Sequence, residues 1–238
     1  MALRVLVVRP QPGAAATAEA LERAGHEPVV MPLTEIVPLA SPQPAGASFD
    51  AVAATSANAI RHAQPALIDR LSDTPLCAVG EATAQAARAA GFRRVETAEG
   101  DADRLAEMIL DRFEAGSRLL YLCGRVRRRE FEAALVAAGI EVQAAETYDT
   151  VAVPLDDGQL AALGAVDAVR GHSAEAAKAL LRLRSRAGSF LERVAVIAIS
   201  QRAAKPLRDA GAPRLIVAES PSEAAMLARL GQVMSDGL

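Results

Sequence analysis

Short segments rich in hydroxyls, glycine and arginine stand where an anion can be held. They are Arg9-Pro10, Thr55-Ser56-Ala57-Asn58, Gly80-Glu81-Ala82-Thr83, Gly124-Arg125, His172-Ser173 and Ser200-Gln201-Arg202. Each follows a short apolar run and precedes a stretch of helical composition. Helix N-termini present free N–H groups, and arginine offers a planar fork for carboxylate or phosphate. The set is poor in carboxylates, so its chemistry suits an anionic ligand with several acidic groups. Each residue also has a plainer reading. Ser56, Ser173 and Thr83 fit as helix caps or first-turn residues. Arg9 divides evenly between a ligand clamp and a structural ion pair. The run GRVRRRE (124–130) reads as a solvated helix start from which Arg125 alone faces the ligand. His172 is a single histidine, and His26 and His62 sit in helix-end or surface contexts. No pair has metal-ligand spacing, so no metal is expected.

Standard catalytic signatures are missing. No GxGxxG follows the first strand-like run, and no GxxxxGK[ST], nucleophile elbow or Cys/His cluster occurs. No catalytic dyad is visible, so an enzyme built on this chain works without an evident nucleophile or metal.

The elements that must position these segments follow from periodicity. Ten β-type runs (RVLVV, EPVVMPL, DAVAATS, LCAVG, RRVET, RLLYLC, EVQAAETY, DAVRGHS, VAVIAIS, RLIVAE) alternate with alanine-rich helical stretches. Several of those stretches end in glycine, at Gly25, Gly91, Gly139 and Gly211, as left-handed helix caps do. Alternating strands and helices imply βαβ units and parallel sheets. Ten strands suggest two sheets of five.

An internal repeat supports that division. CAVGEATAQAARAAG (77–91) aligns without gaps on IAISQRAAKPLRDAG (197–211), and DAVAATSANAI (50–60) on DAVRGHSAEAA (167–177). The opening unit, 4–31, has its partner at 118–145. The order of these pairs makes one domain discontinuous. We expect an α/β domain from 1–36 plus 152–238 and an inserted α/β domain at 40–148. Linkers at about 32–42 and 146–155, both β-prone, would form a two-stranded hinge. The expected architecture is two flavodoxin-like domains, parallel five-stranded sheets flanked by helices, with the ligand cleft between them.

Composition excludes several function classes. The chain has 238 residues, 51% apolar and 23% charged, enough for a folded core rather than disorder. Aromatics are only 3%, with no Trp and two Tyr, so a ligand clamped between rings is disfavoured. A net charge of −3 offers no basic field for nucleic acid. Cys77 and Cys123 lie in apolar runs and read as buried thiols. With no signal-like segment and no apolar stretch long enough for a membrane span, the chain reads as cytoplasmic. No apolar surface helix stands out, which favours a monomer.

The order of motifs resembles the uroporphyrinogen-III synthase family over essentially the whole chain. The carriers are the opening VLVVRPQPGAAATAEALERAGHEPVVMPL, TSAN (55–58), VGEATA (79–84) and YLCGRVRRREFEAALVAAGIEVQAAETYDT. HS (172–173), AISQRAA (198–204) and VAESPS (217–222) follow in the second half. The resemblance implies a cofactor-free lyase. Its reaction cyclises the linear tetrapyrrole hydroxymethylbilane, inverting ring D and losing water, and belongs to heme biosynthesis. The substrate carries eight carboxylates. The resemblance also implies a role for Tyr148 in the departure of the hydroxyl, against the plainer reading of a hinge tyrosine bonded to backbone. Thr83 matches a threonine linked to substrate handling. Ser200-Gln201-Arg202-Ala203 departs from the family's Gly-Pro-Thr-Thr, and His172 stands where a Thr is frequent. The substrate-binding set implied is Arg9, Thr55, Ser56, Asn58, Gly80, Thr83, Gly124, Arg125, His172, Ser173, Ser200 and Arg202. The alternatives are a non-catalytic two-domain binding or sensory module for a polycarboxylate, and a nucleotide-dependent transferase, which the missing Gly-rich loop disfavours.

Overall fold

Alternation along each strand decides which layer its side chains join. In a strand, successive β-carbons point to opposite faces, and a parallel sheet covered on both sides buries both sets. A computed structural model describes residues 2–40, 48–127 and 129–235. Met1, residues 41–47, Arg128 and residues 236–238 lie outside that description, and with them the last two residues of the first expected linker. The chain divides into two compact units, Met1–Glu35 with Val151–Leu238, and Ile36–Thr150.

Unit 1 begins with β1 (Arg4–Val7), α1 (Gly13–Arg23) and β2 (Glu27–Val30). β3 (Thr34–Pro38) then leads into unit 2. Unit 2 continues with β4 (Ala51–Ala54), α2 (Ala57–Arg61), α3 (Pro65–Leu71), β5 (Leu76–Val79), α4 (Gly80–Ala90) and β6 (Val95–Ala98). It closes with α5 (Ala102–Leu110), β7 (Arg118–Gly124), α6 (Glu130–Ala137) and β8 (Glu141–Ala152). The return to unit 1 adds α7 (Asp157–Ala162), β9 (Ala168–Gly171), α8 (Ala174–Arg182) and α9 (Phe190–Arg193). Its last elements are β10 (Ala195–Ala198), α10 (Gln201–Asp209), β11 (Leu215–Val217) and α11 (Glu223–Ser235).

The unit 1 sheet has the order β11-β10-β9-β1-β2, all parallel. Val5, Val7, Ala168 and Ile197 face α1 and α11, while Leu6, Val169 and Val196 face α8 and α10. The unit 2 sheet runs β3-β8-β7-β4-β5-β6. There Val52, Leu76 and Leu120 pack with α2, α3 and α4, and Ala53, Cys77 and Tyr121 with α5 and α6. Without β3, the two orders are the same arrangement with the chain cut at a different point. The aligned repeats occupy equivalent places in it: β4 and β5 correspond to β9 and β10, and β7 and β8 to β1 and β2.

Two sheets of five was the expectation, and unit 2 has six strands. The extra one is β3, from the first crossing, hydrogen-bonded beside β8 from the second. The Leu39 N–H donates to Thr147 O at 2.9 Å and the Val153 N–H to Leu33 O at 3.0 Å. As one strand advances the other recedes, so this pair is antiparallel. The four glycines expected to cap helices all have positive φ, between 72° and 114°.

Candidate functional site

The chemistry-bearing segments fall at the carboxyl edges of the sheets, one group in each unit. In unit 2, β4 ends at Ala54 and the chain turns through Thr55 and Ser56 into α2. Ser56 is extended and its Oγ accepts the Asn58 N–H at 3.2 Å, an N-cap bond. Thr55 turns inward instead. Its Oγ1 lies 2.8 Å from the hydroxyl of Tyr121, a fully buried side chain whose phenol burial pushes up to about 12. That pair is a strut between β4 and β7. Asn58 Oδ1 accepts from Arg61 at 3.3 Å. Gly80 opens α4 at φ +70°, a backbone conformation that disfavours a β-carbon, and Thr83 is buried in the same first turn.

Tyr148 owes its direction to a bulge. β8 follows β7 in register to Cys123↔Glu146, then slips so that Gly124 pairs with Tyr148. Thr147 is the extra residue, and its buried hydroxyl donates to Ala59 O at 2.8 Å. Strict alternation would put Ala145 and Tyr148 on opposite faces, but the bulge brings both to the face packed by α2, α3 and α4. The Tyr148 ring lies over the Gly124 backbone, where a β-carbon would sit 2.7 Å from Cζ and 3.0 Å from the hydroxyl. Burial raises the phenol's pKa, partly offset by a hydrogen bond with Ser56. The group is therefore a neutral proton donor at physiological pH. Glycine at 124 is the space that the ring occupies. Gly124→Ala should displace the Tyr148 ring, and if that ring takes part in the reaction turnover should fall about tenfold, the order of cost of misplacing a reacting group. Steady-state kinetics with a thermal melt distinguishes this from unfolding.

The GRVRRRE run differs from expectation. Helix α6 starts only at Glu130, and Arg127 is buried rather than solvated. It donates to Glu132 and to Glu146, both at 2.7 Å, because the bulged strand brings Glu146 beneath the loop. Arg125 is exposed and reaches Glu146 at 3.4 Å and Asp149 at 3.2 Å. Together the two arginines hold the Glu146 carboxyl below its usual range, with the Arg127 hydrogen bond the largest cause.

In unit 1, Ser173 and Ser200 cap α8 and α10, accepting the N–H groups of Ala176 at 3.1 Å and Ala203 at 3.2 Å. Arg202 lies in the first turn of α10. Arg9 pairs with Glu223 Oε1 at 3.1 Å and also donates to Thr17 at 3.3 Å. His172 meets the same carboxylate at 3.0 Å, and Arg170 meets its other oxygen at 2.6 Å. Those hydrogen bonds and charges, the His172 bond foremost, hold Glu223 down to about 2. Burial depresses His172, leaving a neutral imidazole. Arg170 and Glu223 are absent from the sequence-derived set. The signal for Arg170 was a charge inside the apolar run DAVRG. Glu223 follows a capping serine and looks like ordinary first-turn dipole compensation.

A groove of about 620 Å³ lies on the flank of α2, α3 and α4, between Ile60, Pro65, Ile68, Ala82, Ala86 and Ala90. None of the expected site residues lines it. Among the described residues no cluster of three or more His, Cys, Asp or Glu is arranged to hold a metal. No helix among them is long and apolar enough to cross a membrane.

Comparison with known proteins gives this arrangement a context. A uroporphyrinogen-III synthetase from Helicobacter pylori superposes with a TM-score of 0.67 at 22% identity, covering 98% of this chain and 100% of its own. A mutant uroporphyrinogen III synthase from Thermus thermophilus gives 0.63 at 21%, covering 99% and 100%. At that identity the likeness is one of fold: two α/β units with largely parallel sheets. The sequence itself matches the family model described as uroporphyrinogen-III synthase HemD over residues 15–228. That match takes in every strand except β1 and every loop described above except the Arg9 turn, and the chain belongs to the uroporphyrinogen-III synthase family.

Proposed function

We propose that this protein closes hydroxymethylbilane to uroporphyrinogen III and that Tyr148 donates the proton that turns the departing hydroxyl into water. The family is one of cofactor-free hydro-lyases, and its substrate is hydroxymethylbilane. The observation that supports the role most directly is a neutral phenol, bulged onto the helix-covered face beside Ser56, over a glycine that leaves it room. Hydroxide leaves the hydroxymethyl carbon with the phenolic proton as water, expelled by the electron pair of the pyrrole nitrogen. The N–H proton of the resulting azafulvenium passes to the phenolate, which restores Tyr148 and leaves the azafulvene. The substituted carbon of ring D then attacks this electrophile, giving a spiro intermediate whose rearrangement inverts the ring. The protein contributes orientation and exclusion of spontaneous closure, so it needs no covalent residue.

The substrate's carboxylates are the partners proposed for the remaining residues. Arg9, Arg125 and Arg202 supply guanidinium donors. Ser173 and Ser200 retain a hydroxyl hydrogen while capping their helices, and Thr55, Ser56, Asn58, Thr83 and His172 complete the set. Gly80 and Gly124 let backbone approach closely. We assign the active form as a cytoplasmic monomer. In support, among the described residues the exposed large apolar side chains are few: Val30, Leu110, Val136 and Met234 stand on four different elements, and Val126 in the loop before α6.

One assay tests the reading. Incubated with freshly generated hydroxymethylbilane, the protein should yield the type III isomer well above the uncatalysed rate. Type I alone, at the spontaneous rate, would leave only a polycarboxylate-binding module.

A further inference from the structure

Unit 1 holds a charge surplus that the tyrosine chemistry does not use. Arg170 lies on β9, between β1 and β10, and is fully buried. A guanidinium in such a place is costly unless every edge is paired. Only Nη2 is, at 2.6 Å from Glu223 Oε2. Its Nε and Nη1 have no hydrogen-bond partner, and neither does His172 Nδ1, on a side chain only 6% exposed. Arg9 arrives at the same carboxylate from the end of β1, and its guanidinium lies against Gly13, where a β-carbon would collide with it. Among the described residues, Glu223 is the only carboxylate paired with either arginine. Two guanidiniums, one carboxylate and a neutral imidazole leave one positive charge over.

That surplus has one way out. Arg170 and His172 are enclosed, whereas the side chains of Arg9 and Glu223 are 32% and 41% exposed. Glu223 is also the first residue of the 13-residue helix α11, whose N-terminal N–H groups strengthen the positive field. A monoanion cancels the surplus, whereas a phosphate dianion overshoots it.

We infer that the carboxyl edge of β1 and β9 is a binding subsite for one carboxylate of the ligand, with Glu223 as the resident counter-ion that the ligand displaces from Arg9. Arg170 keeps Glu223 when Arg9 changes partner, so the buried guanidinium is never left alone. Arg9 is then both of the things its sequence context allowed, an ion pair in the free protein and a clamp in the complex. The inference rests on reading the protein as a binder of a polycarboxylate tetrapyrrole.

Anaerobic equilibrium binding of uroporphyrinogen III, together with KM for hydroxymethylbilane, tests it in wild type, Arg9→Gln, Glu223→Gln and Glu223→Asp. Arg9→Gln should weaken binding tenfold or more. Glu223→Gln should lower Tm yet tighten binding several-fold, because the ligand no longer competes for Arg9. Glu223→Asp, which stays charged but is one methylene too short to hold both arginines, should tighten binding in the same direction. It keeps the test alive where Glu223→Gln does not fold. A purely structural ion pair gives lower Tm with unchanged or weaker binding in both Glu223 variants, and that result overturns the proposal. So does Arg9→Gln within twofold of wild type. Should wild type yield only the type I isomer, the enzymatic reading fails separately. The subsite is then read with glutarate at constant ionic strength. A rise in Tm that Arg9→Gln abolishes upholds it, and equal responses refute it.

Discussion

Tyr148→Phe should lower kcat about 100-fold while changing KM less than threefold, the range expected when a general acid is removed but binding surface is kept. The ring stays packed against the layer of α2, α3 and α4 and over Gly124, so the substitution deletes one proton donor and nothing else of that size. The pH profile gives a second readout. In the proposed role the group acts in its protonated form, and burial lifts its pKa above the ordinary value of 10.0. Turnover limited by Tyr148 should therefore hold level through neutral pH and decline only on the alkaline side of that value. Stopped-flow measurement of hydroxymethylbilane consumption across pH checks both. An unchanged rate in the Phe variant would show that the hydroxyl serves only its bond to Ser56.

Glu223→Ala should destabilise unit 1 by about 3 kcal/mol, because it strips a fully buried guanidinium of its counter-charge. Arg170→Met should cost far less. It replaces the buried cation by an apolar chain of similar length and leaves Glu223 half-exposed, with Arg9, Thr17 and His172 still on it. Urea unfolding followed by circular dichroism measures both, since the chain has no tryptophan. Equal losses in the two variants would mean that packing, not charge, sets the energy. The same group dictates an acid sensitivity. Glu223 has a folded-state pKa of about 2 against 4.5 unfolded, so its contribution is complete above 4.5 and is lost as pH falls toward 2. His172 is depressed from 6.5, so the unfolded chain takes up its proton first and stability begins to fall below that value. Both effects have the same sign. Glu223→Ala should flatten the acid side of the stability curve.

The features legible in the sequence were those that local rules dictate. Apolar runs, glycines at helix ends and hydroxyls at helix starts follow from short-range backbone physics, and the repeat offsets place the strands in equivalent orders. The family resemblance singled out Tyr148, but not how it is aimed. A one-residue slip between Cys123 and Gly124 decides that, and such slips have no composition signal. Arg127 was misread because its partners Glu132 and Glu146 stand on different elements. The cluster around Glu223 was hidden for the same reason. Its members come from the turn after β1, α1, β9, the loop after that strand and α11, and only the folded sheet makes them neighbours. Charge pairing across such separations is a tertiary property, and a linear pattern records only its oddest member, the arginine in DAVRG.

The cut in the chain order has a consequence during synthesis. Unit 2 is a continuous stretch, so it can complete its sheet as it leaves the ribosome. Unit 1 cannot. β1 finds β2 within a few residues, but its other neighbour begins where Asp167 receives the Arg4 N–H, 163 positions further on. At roughly 5–20 residues per second, that leaves one side of the strand waiting on the order of ten seconds. Its apolar side chains and free backbone edge stay open to wrong partners throughout. The guest domain can fold before its host, and the βαβ unit of β1, α1 and β2 is the stretch that has to wait.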